Sequence, residues 1–324
     1  MEKEQMIVAV YGSRHQEKNA GKLLEMFSML RRQGMRVLVE ERLGNHLHEL
    51  GIAFGDGLEI VKEFPREAMT LVSIGGDGTF LRASRWAGGS EVGIIGLNTG
   101  HLGFLASYAL DEVGELVEII CRRCGVVEPR LALRLEGHEE KTEGWPYALN
   151  EIAVSKSVTA SMLNVRTYVD GEFLADYRAD GLVISTPTGS TAYNLSVGGP
   201  ILEPTLRSVI LSPNAPHSLT MRPLVISADS RIDLEVYSRV GECHLALDGR
   251  TFDMACRDTR LMSSEGEAER CGEAGIASDL RISAAPFSVN VLRRPDSNYA
   301  RLLRNKLLWG RRKRGYATRQ GAVR

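Results

Sequence analysis

Gly75-Gly76-Asp77-Gly78-Thr79 directly follows the apolar run Thr70–Ile74 and opens a helical pattern. Glycines at such a strand-to-helix turn let backbone N–H groups approach a ligand closely, and a helix N-terminus favours phosphate oxygens. An aspartate among those donors would repel a bare phosphate. It fits two chemistries better: contact to a magnesium ion, or acceptance of a hydroxyl proton during phosphoryl transfer. A plain helix cap at Asp77 is the structural alternative. Neither G-x-G-x-x-G nor G-x-x-x-x-G-K-[ST] occurs, so neither the dinucleotide fingerprint nor a P-loop is available.

Three further segments carry candidate chemistry. Gly96-Leu97-Asn98-Thr99-Gly100-His101-Leu102-Gly103-Phe104-Leu105 is a glycine-rich loop after an apolar strand, with His101 expected to cap or pack. Ligands of open α/β sheets bind at that carboxyl edge. Asn150-Glu151 sets an amide beside a carboxylate, able to read a purine edge and ribose hydroxyls or to form a structural pair. Asp180-Gly181-Leu182-Val183-Ile184-Ser185-Thr186-Pro187-Thr188-Gly189-Ser190-Thr191-Ala192-Tyr193, followed by Asn194-Leu195-Ser196, delivers a row of small hydroxyls on an apolar strand. Tyr193 adds a flat face for a base. One helix cap needs fewer hydroxyls than this row supplies.

The elements that must hold these residues fall into two grammars. Met6–Val10, Met35–Val39, Thr70–Ile74 and Val92–Leu97 read as continuous apolar strands. They alternate with helices over Glu17–Gln33, Thr79–Trp86 and Asp111–Arg123, the last with Asp111 as its N-cap. Such alternation predicts a parallel sheet covered on both faces. Past Val126 the pattern turns to strands without helices: Arg130–Leu135, Tyr147–Ser155 and Leu163–Val169. Asp170-Gly171 and Asp248-Gly249 mark hairpin turns in this mainly antiparallel half. Phe287–Leu292 is one more strand, Tyr299–Leu308 a helix with a basic tail, and 256–279 a polar, aperiodic stretch expected to be a mobile insert.

The chain of 324 residues has 40 Lys and Arg against 41 Asp and Glu, so its charge implies no polyanion partner. A basic tail from Arg301 onward, without a recognised reading module, does not change the expectation of no nucleic-acid partner. No apolar run approaches the roughly 18 residues needed to cross a bilayer, and the start lacks the order of a signal peptide. The expectation is a cytoplasmic protein with no membrane partner. The five cysteines, Cys121, Cys124, Cys243, Cys256 and Cys271, are scattered and read as reduced thiols, not as a disulfide framework or a metal site.

Taken together, the GGDG turn, the Asn-Glu pair and DGLxxSTPTGSTAY, in this order and spacing, closely resemble the NAD kinase family of bacterial type. The resemblance runs from the first strand to Leu308-Trp309-Gly310. It implies ATP and NAD as substrates, a divalent metal such as magnesium with the ATP and no metal ligands of the protein's own. The product would be NADP, phosphorylated at the 2′-hydroxyl of the adenosine ribose. The implied fold is an α/β nucleotide-binding domain (1–126), a β-rich NAD-binding domain (127–287) and a C-terminal strand and helix (288–324) packing back on the first. Carried over by position, Asp77 would take the hydroxyl proton and Gly78 would lie beside the phosphates. Arg82 would meet phosphate, and Asn150 and Glu151 would hold the adenosine half of NAD. Thr188, Thr191, Ala192, Tyr193, Asn194, Leu195 and Ser196 would line the adenine and ribose site. Arg178 and Asp180 would reach the far end of the dinucleotide, near the seam of a homodimer or homotetramer. The chain departs from the family pattern at Ser161 and Arg250. Two other readings remain: a lipid kinase, which shares GGDGT but calls for an apolar acceptor groove, and a non-catalytic dinucleotide-binding protein, which leaves Asp77 without a reason.

Overall fold

The computed structural model describes residues 6–14, 16–51, 58–100, 103–158, 161–262 and 279–308. β1 (Ile7–Gly12) leads into α1 (Ala20–Arg32), which Gly34 ends with φ at +75°, and the chain returns as β2 (Arg36–Glu40). There follow α2 (Glu41–Glu49), β3 (Leu58–Val61), β4 (Thr70–Ile74), α3 (Asp77–Ala87), β5 (Gly93–Asn98), β6 (Tyr108–Ala109) and α4 (Val113–Arg122). α2 and β3 do not show in the sequence pattern. Their periods are too short to stand out, and α2 is fixed by the Glu40 carboxylate, which accepts the Leu43 N–H at 3.1 Å. Asp111 does not cap α4. It sits in a 3-10 turn, Leu110–Glu112, where Glu112 instead accepts the Ala109 N–H at 2.7 Å.

The parallel strands run in the order β3-β2-β1-β4-β5. Leu23, Phe27 and Leu30 of α1 join Val113, Leu116 and Ile120 of α4 over one face. Phe80 and Ala83 of α3 belong to the core of the other. Burial on both faces explains why these strands read as unbroken apolar runs.

The β-rich half contains β7 (Val126–Glu136), β8 (Tyr147–Ala148), β9 (Glu151–Lys156), β10 (Leu163–Val169), β11 (Glu172–Ala179) and β12 (Gly181–Ser185). A short helix, α5 (Tyr193–Ser196), precedes β13 (Ser208–Asn214), β14 (Leu224–Ser227), β15 (Ile232–Ser238), β16 (Glu242–Leu247), β17 (Arg250–Ala255) and β18 (Arg257–Asp258). The chain closes with β19 (Leu280–Arg293) and α6 (Tyr299–Leu307). One antiparallel sheet has the order β14-β13-β12-β9-β16-β17. Its apolar face packs on β10, β15 and β19 through Ile152, Val154, Leu182 and Ile184 against Val165, Leu234 and Ile282.

β19 is the spine of the molecule. Its first residues pair with β15, and Val291 pairs in parallel with Ile94 of β5. One 13-stranded sheet therefore runs through both halves, and the expected boundary at 287/288 falls inside a strand. Beyond it, Arg294 reaches Glu112 at 2.8 Å and Glu115 at 2.9 Å beside α4, while the Tyr299 hydroxyl donates to the Leu202 carbonyl at 2.9 Å.

The expected insert at 256–279 has to be trimmed at both ends. Arg257–Asp258 pairs in parallel with β15, and Arg257 bonds Asp279 at 3.0 Å and Glu235 at 3.1 Å. Asp279 also accepts the Val236 N–H at 2.7 Å. These ends looked like loop because they are polar, yet their charges are spent on each other and on the sheet. Residues 263–278 lie outside the described residues, as do His101 and the tail from 309 onward.

Candidate active site

The strand order places a topological switch between β1 and β4, whose carboxyl ends form the crevice where open α/β sheets bind ligands. The glycine turn emerges there. Gly75 donates its N–H to the Leu97 carbonyl at 2.9 Å, and Gly76 and Gly78 stay exposed at the N-terminus of α3. The Arg82 guanidinium, one turn on, donates to Thr79 Oγ1 at 3.1 Å. A groove of ≈ 540 Å³ opens beside it, lined by Tyr11, Arg14, Glu40, Arg42 and Arg82. Burial pushes the Tyr11 phenol above its ordinary pKa.

Asp77 is engaged by the loop after β5. Its Oδ2 accepts the Phe104 N–H at 2.8 Å, and its Oδ1 accepts those of Leu105 at 3.0 Å and Ala106 at 3.1 Å. The carboxylate clasps the loop after β5, and a Cβ at Gly103 would collide with Asp77 Oδ1. The acid of the glycine turn thus has three amide donors of its own. Leu105 shares a core with Phe80 of α3 and with Leu149, which connects the clasp to the Asn150-Glu151 segment.

That segment is organised by a residue that in sequence is only a turn former. Asp248, at the β16–β17 hairpin with φ at +49°, accepts the N–H of Leu149 at 2.7 Å, of Asn150 at 2.7 Å and of Glu151 at 3.2 Å. Burial pushes its carboxyl up, opposed by those three amides. Glu151 is buried beside it with the Tyr193 N–H against its carboxyl; burial first, then repulsion from Asp248, pushes it up to about 8. The signal for Asp248 was present in Asp248-Gly249, but its partners are about a hundred residues away in sequence.

The hydroxyl row divides between scaffold and surface. Thr186 Oγ1 donates to the Leu149 carbonyl at 2.6 Å and accepts the Gly189 N–H at 3.1 Å. Ser190 Oγ donates to the Pro187 carbonyl at 2.6 Å, and Thr188 Oγ1 accepts from the buried Arg130 at 3.3 Å. Asn194 is fully buried: its amide donates to the Ser190 and Pro200 carbonyls, and its oxygen accepts from Ser212 at 2.7 Å. Its side chain thus holds the loop together. Thr191, Ala192 and Leu195 are half-buried, and Tyr193 and Ser196 are exposed. Asn214 donates to the Tyr193 hydroxyl at 3.2 Å, and its carbonyl accepts the Asp180 N–H at 2.9 Å. Asp180 also pairs with Lys156 at 2.6 Å, whereas Arg178 is exposed. Asn150, Glu151, Asp180 and the 186–196 loop therefore form one neighbourhood. Arg82 stands apart from it, at the glycine turn. Arg250 is turned away, donating to the carbonyls of Trp145 and Tyr147.

Comparison with known proteins places the chain in a family. Residues 13–123 match the model of the ATP-NAD kinase N-terminal domain, and 149–264 that of the ATP-NAD kinase C-terminal domain. The chain belongs to the ATP-NAD kinase family. A relative from Bacteroides fragilis called NAD kinase is 37% identical over 94% of this chain and 98% of its own. Another from Flavobacterium psychrophilum, of the same name, is 35% identical over 95% of this chain and 100% of its own. Two solved structures share the fold. A yeast NADH kinase complexed with NADH superposes with a TM-score of 0.74 at 21% identity, covering 95% of this chain and 89% of that one. An Archaeoglobus fulgidus NAD kinase in complex with ATP gives 0.65 at 24%, covering 90% and 94%. Family membership makes the protein an ATP-dependent phosphotransferase.

Proposed function

We propose that the protein transfers the γ-phosphoryl group of ATP to the 2′-hydroxyl of the adenosine ribose of NAD, giving NADP and ADP. The observation that carries this is the clasp. Asp77 sits on the first turn of a phosphate-competent helix and grips the loop that packs, through Leu105, against Leu149 and the Asn150-Glu151 segment. Donor and acceptor sides thus meet at one residue. The ATP phosphates take the N–H groups of Gly76 and Gly78 and the Arg82 guanidinium, with the rest of the nucleotide in the adjoining groove. The adenosine half of NAD takes Asn150, Glu151, Thr188, Thr191, Ala192 and Tyr193, with Asn194, Leu195 and Ser196 shaping that loop. Arg178 and Asp180 receive its far end.

Among the described residues no three His, Cys, Asp or Glu side chains cluster as a protein-made cation cage would. A divalent ion such as magnesium suits the site as a companion of the ATP phosphates, which it would neutralise. The positioned amides and Arg82 do the rest, because a loose phosphoryl-transfer transition state asks chiefly for alignment and charge balance. Incubating the protein with ATP, magnesium and NAD should yield NADP; a lipid acceptor phosphorylated in its place would return the reading to a lipid kinase. Among the described residues no helix is long and apolar enough to cross a membrane, and the proposed setting is the cytoplasm.

Tyr193→Ala should raise the KM for NAD several-fold and leave that for ATP nearly unchanged. Tyr193, whose backbone N–H faces Glu151, is 37% exposed, which leaves its ring free to stack on a base, and such contact is worth about 0.5–1.5 kcal/mol. A rise in the KM for ATP instead would reverse the assignment of the two nucleotide sites.

The active unit is at least a dimer, with Arg178 and Asp180 near the partner. β14 is an edge strand of the antiparallel sheet and exposes Leu224 and Val225, with Leu219 89% exposed in the preceding loop. Open apolar edges of this kind favour association. Sedimentation and activity followed together through dilution should fall in step, and Asp180→Ala should weaken NAD binding. A fully active monomer, or unchanged NAD affinity in the variant, would defeat the arrangement.

A further inference from the structure

The two faces of the parallel sheet are not covered alike. α1, α2 and α4 share the core of one face through Leu23, Leu47 and Leu116. On the other, α3 packs chiefly on β1, β4 and β5, and β2 and β3 run on past it. Beside α3, on that flank, lies a cavity of ≈ 720 Å³. Its size falls within the about 300–1,000 Å³ of small-molecule sites.

Three aromatic rings line the cavity: Tyr11 near the end of β1, Phe64 after β3, and Trp86 on the last turn of α3. All three are half-buried. Trp86 stands with its ring centroid 5.8 Å from that of Tyr11 and 5.2 Å from that of Phe64. Its indole N–H donates to the Lys62 carbonyl at 2.9 Å, which fixes the ring in place. The charges of the lining are spent on each other: Arg85 pairs with Glu143 at 2.9 Å, and Lys62 with Glu41 at 3.5 Å. A flat aromatic seat with balanced charge suits a base better than a further phosphate. The cavity also joins the phosphate side, because Tyr11 and Arg82 line both it and the groove at the glycine turn. The Arg82 guanidinium bridges them, donating to Thr79 Oγ1 at 3.1 Å and to the Tyr11 hydroxyl. At ~1.5 Å per residue, α3 sets Trp86 about 12 Å from Gly78. A triphosphate and a ribose span that distance.

We propose that this cavity receives the base of the donor nucleoside triphosphate, with Trp86 as the surface on which the base stacks. The proposal rests on the kinase reading and assigns the donor half that the glycine turn does not hold. Arg82 marks the divide, with phosphates on its α3 N-terminal side and the base on the other. Stacking uses the π-face that every base presents, so the seat recognises a nucleobase as such.

The test separates the two substrates. Trp86→Ala should raise the KM for ATP by about tenfold, in keeping with the worth of one base stacked on an aromatic side chain. The KM for NAD should stay nearly unchanged, and Trp86→Phe should recover most of the affinity for ATP. Titrating the parent with ATP in the absence of NAD should quench its tryptophan emission, and Trp86→Phe should lose that quench. An unchanged KM for ATP in a folded Trp86→Ala protein, or equal rises in both KM values, would overturn the base site and leave the kinase reading intact. The Trp86 ring packs on Tyr11 and Phe64, so if Trp86→Ala does not fold, the emission of the parent and of Trp86→Phe decides. A quench that survives the loss of Trp86, or a parent that shows none, places the base elsewhere. A parent that forms no NADP removes the kinase reading and this proposal with it.

Discussion

Asp77→Asn should lower kcat for NAD phosphorylation by at least about a hundredfold while the global fold stands, because misplacement by about 1 Å near reacting groups costs that much. The carboxylate offers two oxygens to three loop amides at 2.8, 3.0 and 3.1 Å. An Asn side chain has one acceptor oxygen, and its NH₂ would face an N–H. At least one amide of Phe104, Leu105 and Ala106 then loses its partner, and the loop loosens from α3. No core residue changes, so unfolding should shift only modestly. Two measurements check this: kcat, and hydrogen exchange at the three amides, which should quicken. A variant with more than half the parent kcat would take Asp77 out of the mechanism. Unchanged exchange would mean that the clasp is not what the carboxylate contributes.

The direction of that carboxylate marks where the sequence stops being informative. The GGDG turn reveals an acid at a helix N-terminus, but its partners lie 27 to 29 residues downstream. Features that depend on neighbours in the chain were legible. The apolar strands β1, β2, β4 and β5 stand where the patterns put them, and both Asp-Gly turns form two-residue hairpins. Their φ angles are positive at Asp170 (+52°) and Gly171 (+89°), and at Asp248 (+49°) and Gly249 (+79°), as the primed turn geometry requires. Features that depend on distant partners were not. Asp248 reads as a turn residue and becomes the organiser of Asn150-Glu151 only once β16 lies beside β9. Asn194 reads as one more contact in a hydroxyl row, yet its partners Ser190, Pro200 and Ser212 make it scaffold. Arg257 and Asp279 read as loop because polarity does not reveal pairing.

Gly189→Ala should be the most damaging single-methyl change in the acceptor side. A Cβ at Gly189 would meet the backbone carbonyl of Asn150, not a side chain that can swing away. That carbonyl accepts the Thr186 N–H at 2.9 Å and the Ser185 hydroxyl at 3.3 Å, so it has little freedom to retreat. Either the 186–190 loop lifts or the Asn150 peptide turns, and the neighbouring Glu151 moves with it. Overpacking of this kind costs about 1–3 kcal/mol. The melting temperature should fall by several degrees, and the KM for NAD should rise by roughly tenfold for each 1.4 kcal/mol that the displaced loop withholds from binding. The KM for ATP should hardly move, because the glycine turn and Arg82 stand outside this contact. Gly21→Ala, where an added Cβ meets nothing within 4 Å, gives the baseline for a glycine change without a collision. If Gly189→Ala matched that baseline in melting temperature and in NAD affinity, the loop would have room to adapt. The close packing of Gly189 on Asn150 would then not be what fixes the acceptor site.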